Sequence, residues 1–164
     1  MNIFFDTNLW LRYFIGDHEE HLSIVRKILE LNEESKLNIS SSTFVLSEIV
    51  YTQQSFYQIK RADIISDIQT ICSIKNLLLI ERTNLEKTLK LFSIHKNAKW
   101  SDCIIVAQVP ANYQLCSFDQ GLAKIIGEKR FVTPEKVINS SPPDSSRPVC
   151  RQAGDTCDDD YPSN

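Results

Sequence analysis

Short apolar runs alternate along this chain with longer segments of helical periodicity, and this alternation restricts the fold more than any other feature. Residues 2–6 are apolar up to Asp6 and too few for a helix, so they read as a buried strand. Beyond Asp17, Leu22, Val25, Ile28, Leu29 and Leu31 recur at helical spacing and predict an amphipathic helix. Residues 36–41 alternate as a second strand, after which Ser42 or Thr43 is placed to cap a helix reaching about Gln54. Ile64, Ile65, Ile68 and Ile71 mark another helix within residues 59–73, and residues 77–80 read as a third strand. Asn84 is expected to cap a helix carrying Leu85, Leu89, Leu91 and Phe92, and Ser101 to cap one that ends near Pro110. Residues 114–118 form a fourth strand, residues 120–126 a short helix, and Phe131-Val132 a terminal strand. Strands interleaved with helices predict an α/β sandwich around a mostly parallel sheet.

Four acids stand at the edges of these elements or inside them. Asp6 closes Ile3-Phe4-Phe5, and Glu48 lies within the otherwise uncharged residues 43–50. Asp102 opens the apolar segment 103–107, and Asp119 closes Leu115-Cys116-Ser117-Phe118. A buried carboxylate costs several kcal/mol unless a cation, proton or donor compensates it. No basic residue stands beside them in sequence as an obvious partner, so a divalent metal is the natural counter-charge. Ligands of parallel α/β sheets bind beyond the carboxyl ends of the strands. Asp6 and Asp119 both occupy such ends. Three of the acids also have an ordinary reading: Asp6 as a cap or turn residue, Asp102 as a helix N-terminal charge, Asp119 as the start of a turn with Gly121; Glu48, among the core-type residues Val45, Leu46, Ile49 and Val50, is harder to dismiss.

At 164 residues the chain is one domain's length, and its 42% apolar and 24% charged content is that of a globular protein. No apolar run approaches the ~20 residues that cross a bilayer. The opening residues have no basic region or signal-peptide core, so no export by that route is expected. Five scattered cysteines form no disulfide framework and no C-x-x-C pair, which suits a reducing cytoplasm. The net charge of −3 lies in residues 140–164, where five aspartates face two arginines, leaving the rest neutral. From about residue 139 prolines, serines and acids replace the large apolar residues, so residues 139–164 are expected to be a disordered acidic tail. Cys150 and Cys157 within it, with no histidine nearby, make a poor metal site.

Taken together, Ile3-Phe4-Phe5-Asp6-Thr7-Asn8, Ser47-Glu48, Trp100-Ser101-Asp102 and Ser117-Phe118-Asp119 resemble a PIN domain, and within it the VapC-like toxins of bacterial toxin–antitoxin pairs. The resemblance spans residues 1–138. The intervals of 42, 54 and 17 residues between the acids suit it, and Phe131-Val132-Thr133-Pro134-Glu135 is similar to the family's closing segment. Each motif alone is common; the four in order are more specific. The resemblance implies a three-layer α/β/α sandwich and a metal-dependent endoribonuclease. Asp6, Glu48, Asp102 and Asp119 match the family's acidic quartet, and Thr7, Asn8 and Ser117 its supporting polar positions. It implies a cognate antitoxin, docked near Leu9, Trp10, Tyr13, Phe14 and the helix after Ala62, and a possible homodimer.

The chemistry expected of the quartet is phosphodiester hydrolysis with Mg²⁺ or Mn²⁺, hard cations that prefer carboxylate oxygens. Asp6 is expected to be the central ligand, with Asp102 and Asp119 completing the shell and Glu48 orienting or deprotonating water. Lys60, Arg61, His95, Lys96 and Lys99 are candidates to steer RNA phosphates, with plain surface as the alternative for each. Arg12 is a candidate for substrate or an acidic partner. His18 and His21 lack the H-E-x-x-H spacing and read as a solvated first helical turn. Cys103 and Cys116 read as small core residues. Two other classes remain: a PIN-like scaffold that binds RNA or protein without cutting, and a phosphatase of haloacid-dehalogenase type. The second wants an aspartate two residues after the first, where Asn8 stands.

Overall fold

The computed structural model describes residues 1–140. Five strands, β1 (Asn2–Phe5), β2 (Asn38–Ser42), β3 (Leu78–Ile80), β4 (Gln114–Cys116) and β5 (Phe131–Val132), form one sheet in the order β3-β2-β1-β4-β5. Every neighbouring pair is parallel. The helices are α1 (Thr7–Ile15), α2 (Glu19–Glu33), α3 (Thr43–Ser55), α4 (Arg61–Ser73), α5 (Leu85–Ile94), α6 (Trp100–Gln108), α7 (Gly121–Ile126) and α8 (Pro134–Ser140), with a 3-10 turn at Glu128–Arg130. This is the α/β/α sandwich the resemblance implied, with the sheet parallel throughout. Helices α1, α2 and α8 pack in one group and α5, α6 and α7 in another, while α3 touches α1, α4 and α6.

Parallel strands covered by helices on both faces carry continuous apolar runs, because neither face meets water. Ile3, Phe4, Phe5, Ile39, Leu115 and Cys116 are accordingly fully buried. The β2 strand departs from that rule with three buried serines, and each hydroxyl has a partner. Ser40 donates to the Ile3 carbonyl (3.4 Å), Ser41 to the Phe5 carbonyl (3.1 Å), and Ser42 accepts from the Val45 amide as the cap of α3 (3.2 Å). Ser41 also accepts from Trp10 Nε1 at 3.2 Å, fixing the largest fully buried side chain against β1 and β2.

Helix α1 was not legible in the sequence as a helix; it starts directly after β1 and ends at Gly16, whose φ of 66° is the left-handed conformation glycine adopts freely. Helix α8 was likewise unexpected, and it carries the chain through Ser140, past the expected start of the tail at residue 139. The remainder of the acidic tail, with Cys150 and Cys157, lies outside the described residues. Helix α6 begins with Lys99 rather than Ser101 at its cap position, and the Asp102 carboxylate accepts from the Lys99 amide at 3.3 Å. It stops at Gln108, two residues before Pro110, as expected. Lys87 Nζ donates to the carbonyls of Val106 (3.3 Å) and Ala107 (3.2 Å), and Arg130 donates to those of Val109 (3.3 Å), Pro110 (2.6 Å) and Tyr113 (3.3 Å). Two cations thus bond carbonyls at and just beyond the C-terminal end of α6.

The antitoxin surface expected at Leu9 and Trp10 is corrected: both are fully buried in the core. Burial of a large aromatic ring with its N–H satisfied sets the size of the penalty for losing it. Trp10→Ala should lower the unfolding free energy by about 3–5 kcal/mol, read as a reduced midpoint in urea with an unchanged slope.

Candidate metal centre

The strand order places a topological switch point between β1 and β4, because the chain leaves β1 towards β2 and β3 and later fills the other side with β4 and β5. Above such a point the helices on the two faces diverge and leave a crevice at the carboxyl edge. The register pairs Phe5 with Cys116, so Asp6 and Ser117 emerge side by side into that crevice. Ser117 Oγ donates to Asp6 Oδ2 at 2.7 Å across the strand boundary.

Asp6 is at once the cap of α1 and the most buried of the four acids, 2% exposed. Its Oδ1 accepts from the Leu9 amide at 3.3 Å, so the ordinary reading of a capping aspartate and the functional reading hold together. Asn8 Nδ2 approaches Oδ2 only at the 3.5 Å limit. Burial, and after it the charges of Asp119 and Glu48, pushes the Asp6 carboxyl up to about 7, against the opposing donors Ser117 and Leu9.

Helix α3 carries Glu48 over the same crevice, half-buried. Thr7 Oγ1 donates to Glu48 Oε2 at 2.5 Å, so Thr7 supports the glutamate and not Asp6. Ser101 lies close enough to Glu48 to lower its carboxyl, a proximity the sequence reading missed by treating Ser101 only as a cap. Burial raises the Glu48 carboxyl above its ordinary value and the Asp102 charge adds to this, with Thr7, Ser101 and Lys99 opposing. Asp119 is exposed and closes a tight turn: its amide donates to Ser117 Oγ (2.9 Å) and its Oδ1 accepts from the Gly121 amide (2.7 Å). A Cβ at position 121 would stand 2.9 Å from Asp119 Oδ1, so glycine there keeps the carboxylate in place. Asp102 and Asp119 line one cleft of about 360 Å³ together with His95, Lys96 and Lys124.

The four carboxylates therefore form an electrostatic chain, Asp119 to Asp6 to Glu48 to Asp102. None of them is in an ion pair among the described residues, where the three pairs are Arg12–Asp17, Lys27–Glu30 and Lys36–Glu34. Like charges held close without a counter-ion, one of them buried, suit a hard divalent cation with oxygen ligands. Among the described residues no three His, Cys, Asp or Glu side chains are already drawn together around one point as ligands. The carboxylates share a field and an edge without forming a closed cage.

The remaining candidates separate clearly. Arg12 is bound to Asp17 through two contacts of 2.6 and 2.7 Å, and Tyr57 donates to the same carboxylate at 3.1 Å, so it is a structural brace. His18 is exposed and caps α2, as a solvated first turn requires, but His21 is half-buried. Its ring lies between His18 and Phe118, at 3.8 and 3.9 Å. Cys103 and Cys116 are buried core thiols as expected. His95 and Lys96 border the cleft, and so does Lys124, which the sequence reading had not singled out.

A family model described as PIN domain matches residues 3–127. No curated protein sequence matches the chain significantly. Among solved structures, a chain in the crystal structure of VapBC2 from Rickettsia felis, bound to a DNA fragment from their promoter, has a similar fold. The TM-score is 0.57 at 15% identity, over 81% of this chain and 97% of that one.

The raised Asp6 carboxyl has a consequence for stability. The folded chain retains this proton up to about pH 7, whereas an unfolded aspartate releases it near 3.8. The contribution is present below the unfolded value and lost as pH rises through about 7. In EDTA the chain should be less stable to urea at pH 8 than at pH 5, by on the order of a few kcal/mol. Glu48 acts in the same direction, and Asp6→Asn should remove most of the difference.

Proposed function

The chain belongs to the PIN domain family, a family of nucleases, and on that premise we propose that it is a metal-dependent endoribonuclease, the toxin of a toxin–antitoxin pair. The observation that carries the reading is the unneutralised carboxylate chain at the β1/β4 switch point, with Asp6 buried at its centre. Asp6, Asp102 and Asp119 would hold Mg²⁺ or Mn²⁺, with Glu48 beside them. A bound divalent ion would supply an acidified water and offset charge on the phosphoryl oxygens.

The chain's own residues divide the remaining work. Ser117 and the Leu9 amide hold the two Asp6 oxygens in fixed directions. Thr7 holds Glu48, whose carboxyl burial raises above its ordinary value, making it a better proton acceptor for an attacking water than a solvated glutamate. Lys96 and Lys124, in no ion pair among the described residues, stand beside Asp102 and Asp119 where a phosphate backbone would pass.

The antitoxin part of the reading draws on the VapBC2 fold likeness and on an apolar cavity of about 440 Å³ between α3 and α4. Val50, Ile59, Ile64 and Ile68 line it, and Ile65 on its wall is 50% exposed. This keeps the helix after Ala62 as the proposed docking element and drops Leu9 and Trp10. A second apolar face on α5, with Leu85, Leu89 and Phe92 exposed beside Trp100, suits the proposed homodimer. No helix among the described residues is long and apolar enough to cross a membrane, and the proposed RNA substrate places the reaction in the cytoplasm.

Cellular RNA incubated with the purified chain should be cut with Mg²⁺ or Mn²⁺ and left intact with EDTA. Asp6→Asn, which retains the size and capping oxygen, should reduce cutting by at least about 100-fold while the chain remains folded. A folded, metal-supplied and partner-free chain that cuts no RNA would point to the non-cutting scaffold.

A further inference from the structure

Beside the acidic site stands a column of three rings that the proposed chemistry does not use. His18 and His21 lie 3.8 Å apart with their planes 14° from parallel, and His21 and Phe118 lie 3.9 Å apart at 16°. The inner ring belongs to the residue between Ser117, which holds Asp6, and Asp119, so the column is anchored at the edge of the crevice. The outer ring, His18, is exposed. Its orientation is fixed from two sides, by the stack and by Nδ1 accepting from the His21 amide at 3.4 Å.

We propose that the outward face of His18 is a stacking platform for an unpaired nucleobase of the RNA substrate. The proposal rests on the nuclease reading and adds to it a base-binding subsite. Single-stranded nucleic acids bind proteins by stacking bases on aromatic rings while cations follow the backbone. Asp119 stands between the two functions in the chain, with the ring column resting on Phe118 before it and the cleft lined by Gly121 and Lys124 after it. The cleft, with Lys96 and Lys124, is open to phosphate. The column offers phosphate little: Arg12 is paired with Asp17, and Glu19 and Glu20 begin α2. Burial, and after it the charges of His18 and Arg12, hold the His21 ring below its ordinary value, which favours its uncharged form beneath His18. A flat ring in an environment poor in free cations selects a base and not a backbone. Because the ring is already immobilised, stacking on it loses little side-chain freedom.

The test uses the full chain with short single-stranded oligo(A) and oligo(U), binding measured in EDTA and cleavage with Mn²⁺. His18→Asn removes the ring and keeps a good helix cap; His18→Phe restores a ring. Expected are tighter binding of oligo(A) than oligo(U), a loss of about tenfold in affinity for His18→Asn, and recovery in His18→Phe. In NMR spectra the His18 ring carbons and protons should shift on addition of oligo(A). If the wild-type chain binds and cuts these RNAs while His18→Asn matches it in affinity and KM, the platform is wrong and the nuclease reading stands. If the wild-type chain neither binds nor cuts them or cellular RNA, both fail.

Discussion

The hydrogen bond from Ser117 to Asp6 joins the ends of the two paired strands at the centre of the sheet, and the site is arranged around it. The bond exists because β1 and β4 are neighbours in a register that pairs Phe5 with Cys116. One residue further along each strand, the chain leaves the sheet and the side chains are free to meet. Asp6 then starts α1 with its other oxygen, and Ser117 shapes the turn that carries Asp119. A single buried carboxylate thereby ties strand pairing, a helix start and a loop to one point. Its burial is unfavourable for an ionised group, which is why its carboxyl is raised to about 7 and why a divalent counter-ion suits the place.

Around this point the acids differ in environment. Asp6 is buried, Glu48 and Asp102 are half-buried, and Asp119 faces solvent. The gradient gives otherwise similar groups different tasks. A buried group with fixed donors is rigid, as a central ligand must be. Glu48, held by Thr7 and raised by burial, is suited to proton movement. Asp119, restrained by its turn and by the need for glycine at position 121, keeps its direction despite exposure.

The sequence reading was strongest where a side chain's role follows from local pattern. Asn84 accepts from the Lys87 amide at 2.9 Å, and Ser42 caps α3, each at the position the capping pattern indicates. It failed at α1, a helix of only nine residues that starts directly after β1 and in which Leu9, Trp10 and Leu11 are consecutive and buried. Leu9 and Trp10 were also expected, with Tyr13 and Phe14, to line a surface groove, whereas α1 packs against both α2 and α3 and buries them. Ser101 was misread because a hydroxyl in a helix's first turn suggests a cap, while here Lys99 holds the cap position and Ser101 lies near a glutamate from another helix.

The sequence by itself determined the alternation of most strands and helices and the parallel α/β class, and singled out four acids as candidates, because these depend on periodicity and on charges placed at the ends of apolar runs or within them. Only the tertiary structure decided which acid is buried, that Thr7 serves Glu48 while Ser117 serves Asp6, and that His18, His21 and Phe118 form one column. Those relations join residues 41, 111 and 97 positions apart for the Thr7–Glu48, Ser117–Asp6 and His21–Phe118 pairs. Separations of that length leave no periodic trace in a sequence; they are fixed by sheet order and register, which bring distant strand ends to one edge.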